Sequence, residues 1–267
     1  MLEIGWFSTG RGPGSRGLLT FVQERILRKE MDAHIQFVFS NREPGEAEGS
    51  DMFFDLVRGY DIPLVTFSSR RFRRAVGGDF NAHREEYDRE MIARIGHLNP
   101  DVCVLAGYML YVGSEMCNRY SMINLHPALP DGPIGTWQYV IWELIRARAE
   151  KTGAMIHLAT EEWDRGPVIT YFSLPLRGDL FEPLWERVEG KPVEELKETY
   201  GEELPLFQTV RAEGYRREPY LISETLKALA KGMITISGRR VLDAQGKPID
   251  GYDLTREIEE ALKGTQP

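Results

Sequence analysis

Asp101-Val102-Cys103-Val104-Leu105-Ala106 is an almost unbroken apolar run. A strand with one wet face alternates apolar and polar residues. A strand apolar at nearly every position is expected where helices cover both faces of a parallel sheet. Working outward, residues 2–7, 35–39 and 63–67 before it read as strands, as do 121–125, 153–158 and 167–174 after it. Amphipathic stretches separate them. A Gly-rich loop leads into a helix reaching about Arg28, residues 51–59 form a helix capped by Ser50 or Asp51, and further helices cover 80–95 and 136–149. Residues 68–78, basic and Gly-containing, read as a loop. This alternation predicts an α/β fold with a doubly wound, mainly parallel sheet that places ligands at the carboxyl ends of its strands.

Beyond Leu176 the pattern changes. Residues 178–204 are charged and helix-prone, an insertion relative to the regular alternation. A long helix over 205–231 is expected to bend or break near Pro219. Residues 234–236 and 239–242 flank Ser237-Gly238 as a hairpin, and 255–262 form a short terminal helix. The expectation is one domain over 1–267, with the insertion at about 178–204 and a C-terminal extension from about 233. The insertion is a candidate lid or homodimer surface, and its charge pattern fits a solvated amphipathic helix pair equally well.

Composition narrows the function classes. The chain has 267 residues and a formal net charge of −8, which argues against a general nucleic-acid or membrane-surface binder. Cys103 and Cys117 are the only cysteines, so no disulfide framework and no Cys/His metal spacing arise. Met1-Leu2-Glu3 lacks a basic signal-peptide start, and no apolar run approaches the ~18 residues of a membrane span. The expected setting is cytoplasmic, without metal, nucleic acid or membrane.

Asn124-Leu125-His126-Pro127 closes one strand, and Asp164-Arg165-Gly166-Pro167 leads into another. An amide that can hold a carbonyl oxygen, an imidazole that can move a proton and a carboxylate that can fix the imidazole suit acyl transfer to an amine. Taken singly, each residue also reads as an ordinary turn or hydrogen-bonding residue. Gly12-Pro13-Gly14-Ser15-Arg16-Gly17 fits G-x-G-x-x-G between strand and helix, where backbone N–H groups hold phosphate. No acidic residue closes the second strand, where Asn41 stands, so a dinucleotide site is disfavoured. The basic run Arg70-Arg71-Phe72-Arg73-Arg74 could gather an anionic substrate or simply be a solvated face.

In this order the motifs resemble the folate-dependent formyltransferase family. The landmarks are Val38-Phe39-Ser40-Asn41, Tyr87-Asp88-Arg89-Glu90, Val104-Leu105-Ala106-Gly107-Tyr108-Met109 and the two runs ending at Pro127 and Pro167. The resemblance covers about residues 2–176 and returns at 205–250. It implies a Rossmann-like fold and transfer of a formyl group from 10-formyltetrahydrofolate to a primary amine, that of 5′-phosphoribosylglycinamide first among the acceptors. An amino-sugar acceptor and hydrolysis of formyltetrahydrofolate are the alternatives on the same scaffold. A non-catalytic folate- or nucleotide-binding regulator is the rival of a different class.

The resemblance assigns catalysis to Asn124, His126 and Asp164, with His157 a further histidine near the site. It assigns the substrate phosphate to Gly12, Gly14, Ser15 and Arg16. It assigns the folate to Tyr108, Met109, Leu110 and Tyr111 and to Ala159, Glu162 and Trp163. Departures flank this chemistry: Arg16 in place of an Asn, Leu110 in place of an Arg, Met155 in place of a small hydroxyl residue, and an altered stretch over 128–138. They move the question from the reaction to its amine acceptor.

Overall fold

Apolar runs and amphipathic stretches become strands and helices in the computed structural model, which describes residues 1–161 and 165–264. In chain order the first elements are β1 (Leu2–Phe7), α1 (Pro13–Leu27), β2 (Ala33–Ser40), α2 (Glu48–Gly59), β3 (Leu64–Thr66), α3 (Ser69–Val76), α4 (Arg84–Ile95), β4 (Val102–Leu105), α5 (Ser114–Arg119) and β5 (Met122–His126). Next come α6 (Trp137–Arg146), β6 (Lys151–Leu158), β7 (Val168–Pro175), α7 (Glu182–Arg187), α8 (Val193–Tyr200) and α9 (Pro205–Ala230). The chain ends with β8 (Ile234–Ser237), β9 (Arg240–Asp243), β10 (Tyr252–Asp253) and α10 (Thr255–Lys263). It divides into two compact units: Met1–Asn124 with His157–Pro167 and Leu226–Ile249, and Leu125–Ile156 with Val168–Thr225 and Asp250–Pro267.

The first unit is built on parallel strands in the order β3-β2-β1-β4-β5. The chain steps outward from β1 to β3, then crosses back to place β4 on the other side of β1. This reversal opens a crevice past the carboxyl ends of β1 and β4, the usual ligand position in such sheets. The run that opened the sequence is β4, buried at all its positions as its apolar pattern predicts. Phe7, Phe37, Phe39, Tyr87, Met91 and Cys103 form the core on one face. Gly5 of β1 has no room for a side chain, since a Cβ would stand 2.8 Å from the Phe37 ring and 2.9 Å from Cys103 Sγ.

In the second unit β7 lies between β10 and β6, and β10 pairs with it in parallel through Tyr252 and Thr170. The 178–204 segment is no mere solvated pair of helices. Phe181, Trp185, Val188, Val193 and Leu196 are buried with Ile141 and Leu144 of α6 and Phe207 of α9. The Trp142 and Phe207 rings pack 4.9 Å apart. Burying side chains of this size contributes roughly 1.5–3 kcal/mol each, which keeps the segment folded against α6. Arg217 ties α10 to α9 by bonding Glu259 Oε1 and Glu213 Oε2 at 2.6 and 2.7 Å.

Several local expectations are corrected. Helix α1 starts at Pro13, because proline's fixed φ suits a first helical position, so Gly14, Ser15 and Arg16 lie in its first turn rather than in a loop. Neither Ser50 nor Asp51 caps α2, whose N-cap is Ala47; Ser50 donates instead to the Thr9 carbonyl at 3.0 Å. The basic 68–78 stretch contains α3, capped by the Ser68 hydroxyl, which accepts from Arg71 N at 3.0 Å. Salt bridges from Arg71 to Glu43 and Glu46 offset the crowding of charge that argued for a loop. Helix α9 runs unbroken through Pro219. The expected hairpin is β8–β9, turning at Gly238-Arg239 with Gly238 at φ +60°. Among the described residues no helix is long and apolar enough to cross a membrane.

Candidate active site

The loop leaving β1 is held from below. Ser8 and Thr9 are buried, and Gly10 takes φ +65°, where a Cβ would press to 2.8 Å from the Phe53 side chain. Gly12 is the extended N-cap of α1 and supplies no capping side chain. The first-turn N–H groups thus have no capping side chain, and with the helix dipole behind them such a start suits an anion. Ser15 Oγ lies against Gly107, where a Cβ would come within 2.6 Å of it. Arg16 Nη1 donates to the Gly49 carbonyl at 3.3 Å, which fixes its charge beside this turn. Gly12, Gly14, Ser15 and Arg16 thus share one helix start, where the sequence pattern predicts a loop before the helix.

A cavity of about 260 Å3 opens in the same unit. Its lining is Leu105, residues 108–112, Asn124, His157, Ala159 and Thr160. Of the residues assigned to folate, Tyr108, Met109, Leu110, Tyr111 and Ala159 all line it; Glu162 and Trp163, like Asp164, lie outside the described residues. Their contributions differ. The Tyr108 ring belongs to the core, edge-on to Phe7 at 5.8 Å, with its hydroxyl 3.3 Å from Met91 Sδ. Burial pushes that phenol's pKa far above its ordinary value. Met109 is 64% exposed at the rim. The Tyr111 hydroxyl donates to the Glu161 carbonyl at 2.6 Å and so joins the two loops.

Asn124 and His157 are brought together at the wall of this cavity. His157 Nδ1 lies 3.1 Å from the Leu158 carbonyl, and Nε2 lies 3.3 Å from Asn124 Nδ2. A carbonyl can only accept, so in the neutral ring Nδ1 carries the hydrogen and Nε2 accepts from the Asn124 amide. The amide is thereby turned so that its NH2 group faces the imidazole. The sequence reading left His157 open between site and structural roles; here it sets the orientation of Asn124.

His126 follows two residues later in β5, buried at 2% exposure. Side chains alternate along a strand, so positions 124 and 126 share a side of it. His126 Nε2 lies 2.9 Å from the Pro133 carbonyl. The same argument places the hydrogen of the neutral ring on Nε2 and leaves Nδ1 as its basic nitrogen. The cavity opens past the carboxyl ends of the paired strands β4 and β5, with the Asn124 amide and His157 in its wall. Among the described residues no cluster of His, Cys, Asp or Glu could hold a metal ion.

Residues 17–185 match the family model described as formyl transferase. This chain belongs to the formyl transferase family.

Members and neighbours of that family agree with the fold. A phosphoribosylglycinamide formyltransferase of Escherichia coli (strain K12) is 34% identical over 109 residues, 40% of this chain and 50% of the relative. The match thus spans half the length of that enzyme. The Schizosaccharomyces pombe protein of the same description is 27% identical over 190 residues, covering 68% of this chain and 87% of the relative. A phosphoribosylglycinamide formyltransferase structure from Coxiella burnetii superposes with TM-score 0.64 at 21% identity, over 94% of this chain and 98% of the other, and establishes the common fold.

The sequence reading missed what carries the cavity's walls. Leu105, the last residue of β4, lines the cavity but reads as plain core. Asp88 was legible only as a landmark. It is fully buried, 2.6 Å from Arg84 Nη2, and Gly113 passes so close to Oδ2 that no Cβ would fit there. Asp88 thus packs closely against Gly113, where the 108–112 loop gives way to α5. The spacing of Arg84 and Asp88, one helical turn apart, was the signal that could have found the pair.

Proposed function

We propose that this chain transfers the formyl group of 10-formyltetrahydrofolate to the primary amine of 5′-phosphoribosylglycinamide, a step of purine biosynthesis. The observation that carries the reading is the Asn124 amide, oriented by His157, at the wall of a largely apolar cavity beside an uncapped helix start. The cavity suits a flat heteroaromatic ring read by loop backbone at 108–112 and 159–160. The helix start suits the acceptor's phosphate.

In the reaction the amine nitrogen bonds to the formyl carbon, and the bond from that carbon to the folate nitrogen breaks. Negative charge gathers on the formyl oxygen between these events. Asn124 Nδ2 donates to that oxygen, and such a donor is worth about 100-fold or more in rate. His126 takes part as acid and base: the proton lost by the amine is the one the departing folate nitrogen gains. Asp164 is the carboxylate proposed to hold the imidazole during the proton transfer. No covalent enzyme intermediate is required.

The test is tetrahydrofolate release from purified protein, with and without 5′-phosphoribosylglycinamide. Release that depends on this amine, and falls about 100-fold or more in His126→Ala, is expected. Release independent of any amine identifies a hydrolase instead, the activity named for a Haemophilus influenzae relative, a formyltetrahydrofolate deformylase 29% identical over 121 residues. Release with an amino sugar but not with the glycinamide would replace the acceptor.

A further inference from the structure

The landmark Ser40-Asn41 at the end of β2 has no part in the chemistry above, yet its amide is buried and bonded at both its oxygen and its nitrogen. Thr9 Oγ1 donates to Asn41 Oδ1 at 2.8 Å and accepts from Met109 N at 2.9 Å. Asn41 Nδ2 continues the chain to Ser69 Oγ at 3.2 Å, in the first turn of α3. Thr9, Asn41 and Ser69 are 2%, 3% and 5% exposed. Backbone bonds reinforce the same junction: Thr9 N donates to the Gly107 carbonyl at 3.1 Å, and Ser50 Oγ to the Thr9 carbonyl at 3.0 Å.

The ends of this chain lie at different places. Thr9 precedes Gly10 and the helix start that forms the anion site. Met109 belongs to the loop lining the cavity. One hydroxyl therefore links the backbone of both, and bonds buried in a low dielectric resist exchange with water. A ligand that draws the 10–16 turn into one position holds Thr9, and Thr9 holds the Met109 amide.

We propose that Thr9 is a positioning residue through which an anion at the 10–16 turn orders the cavity loop at 108–112. Ligands at the two places then bind synergistically, since the first meets the ordering cost and the second does not. The proposal rests on the formyl-transfer reading for the anion at this helix start and for the identity of the ligands. Thr9→Val keeps the shape and removes the hydroxyl; Thr9→Ser keeps the hydroxyl.

The experiment is amide hydrogen exchange of the full chain, with inorganic phosphate as the only added ligand. In the wild type and Thr9→Ser, phosphate is expected to slow exchange at 10–16 and, about fivefold, at 108–112, the effect of one hydrogen bond's free energy. In Thr9→Val the first effect should persist and the second vanish. Phosphate that protects 10–16 without changing 108–112 in the wild type, or that changes 108–112 equally in Thr9→Val, overturns the proposal. Phosphate that protects neither segment overturns it together with the anion site. Failure of the functional reading looks different: no formyl transfer to any amine, with phosphate-driven protection at 108–112 intact.

Discussion

Asn124 Nδ2 and His157 Nε2 lie 3.3 Å apart, and the Leu158 carbonyl beside Nδ1 decides which of the two donates. The imidazole therefore orients the amide, which in the proposed reaction donates to the formyl oxygen. Asn124→Ala should lower kcat about 100-fold or more, because the donor itself is lost. His157→Ala should lower it about tenfold with little change in KM, since the donor remains but is no longer held. Steady-state kinetics of both variants check this. A loss in His157→Ala as large as that in Asn124→Ala would mean that the imidazole itself contacts the reacting atoms.

Gly166 reads as a turn residue in Asp164-Arg165-Gly166-Pro167, but its backbone φ is not the constraint. A Cβ there would run into the Leu158 carbonyl, at a turn where Leu158 N donates to the Pro167 carbonyl at 2.9 Å. Gly166→Ala must push this turn away from His157 and Ala159. A loss of about 2 kcal/mol is expected, lowering the melting temperature by roughly 5 °C. An unchanged melting curve would show that the turn can move without cost.

Burial raises the carboxyl pKa of Asp88 above its ordinary value, with Arg84 opposing the shift. The folded state then holds a proton that the unfolded chain, with a value near ~3.9, has released. The group's favourable contribution is complete below the unfolded value and is lost as pH rises through the folded one. Unfolding free energies of wild type and Asp88→Asn, measured from acid to neutral pH, should diverge accordingly. The wild type loses ground to the variant as pH climbs, then runs parallel to it. Wild type gaining on the variant over that range would show that Arg84 outweighs desolvation.

Both cysteines are unpaired; Cys103 is fully buried, and burial pushes the Cys117 thiol up to about 11. At pH 8 about one Cys117 in a thousand is thiolate, and Cys103 less still. Native protein should react with a chromogenic disulfide far more slowly than protein in guanidinium, where both thiols should titrate promptly. Rapid native labelling would place Cys117 in a more open setting than its neighbours allow.

The sheet was largely legible in the chain. Strand β4 and its neighbours announce themselves because an apolar run covered on both faces needs no information from elsewhere. Short or charged elements were not. Helix α3 depends on Glu43 and Glu46, far away in sequence, to balance its arginines, and α5 starts after Gly113, which packs against the buried Asp88 side chain. The helical stripe of the 178–204 insertion was visible as amphipathic, but what it covers was not.

By itself the sequence determined the class of fold, the glycine-rich connection between β1 and the first helix and the presence of Asn124 and His126 on one strand, because periodicity and turn chemistry act between near neighbours. Tertiary structure alone decided what the polar groups do. It set His157 against Asn124, made Asn41 a partner of Thr9 rather than of a ribose, and placed Met109 N on the Thr9 hydroxyl. A buried polar atom takes its meaning from whatever lies within about 3 Å of it, and that neighbour comes from a distant part of the chain.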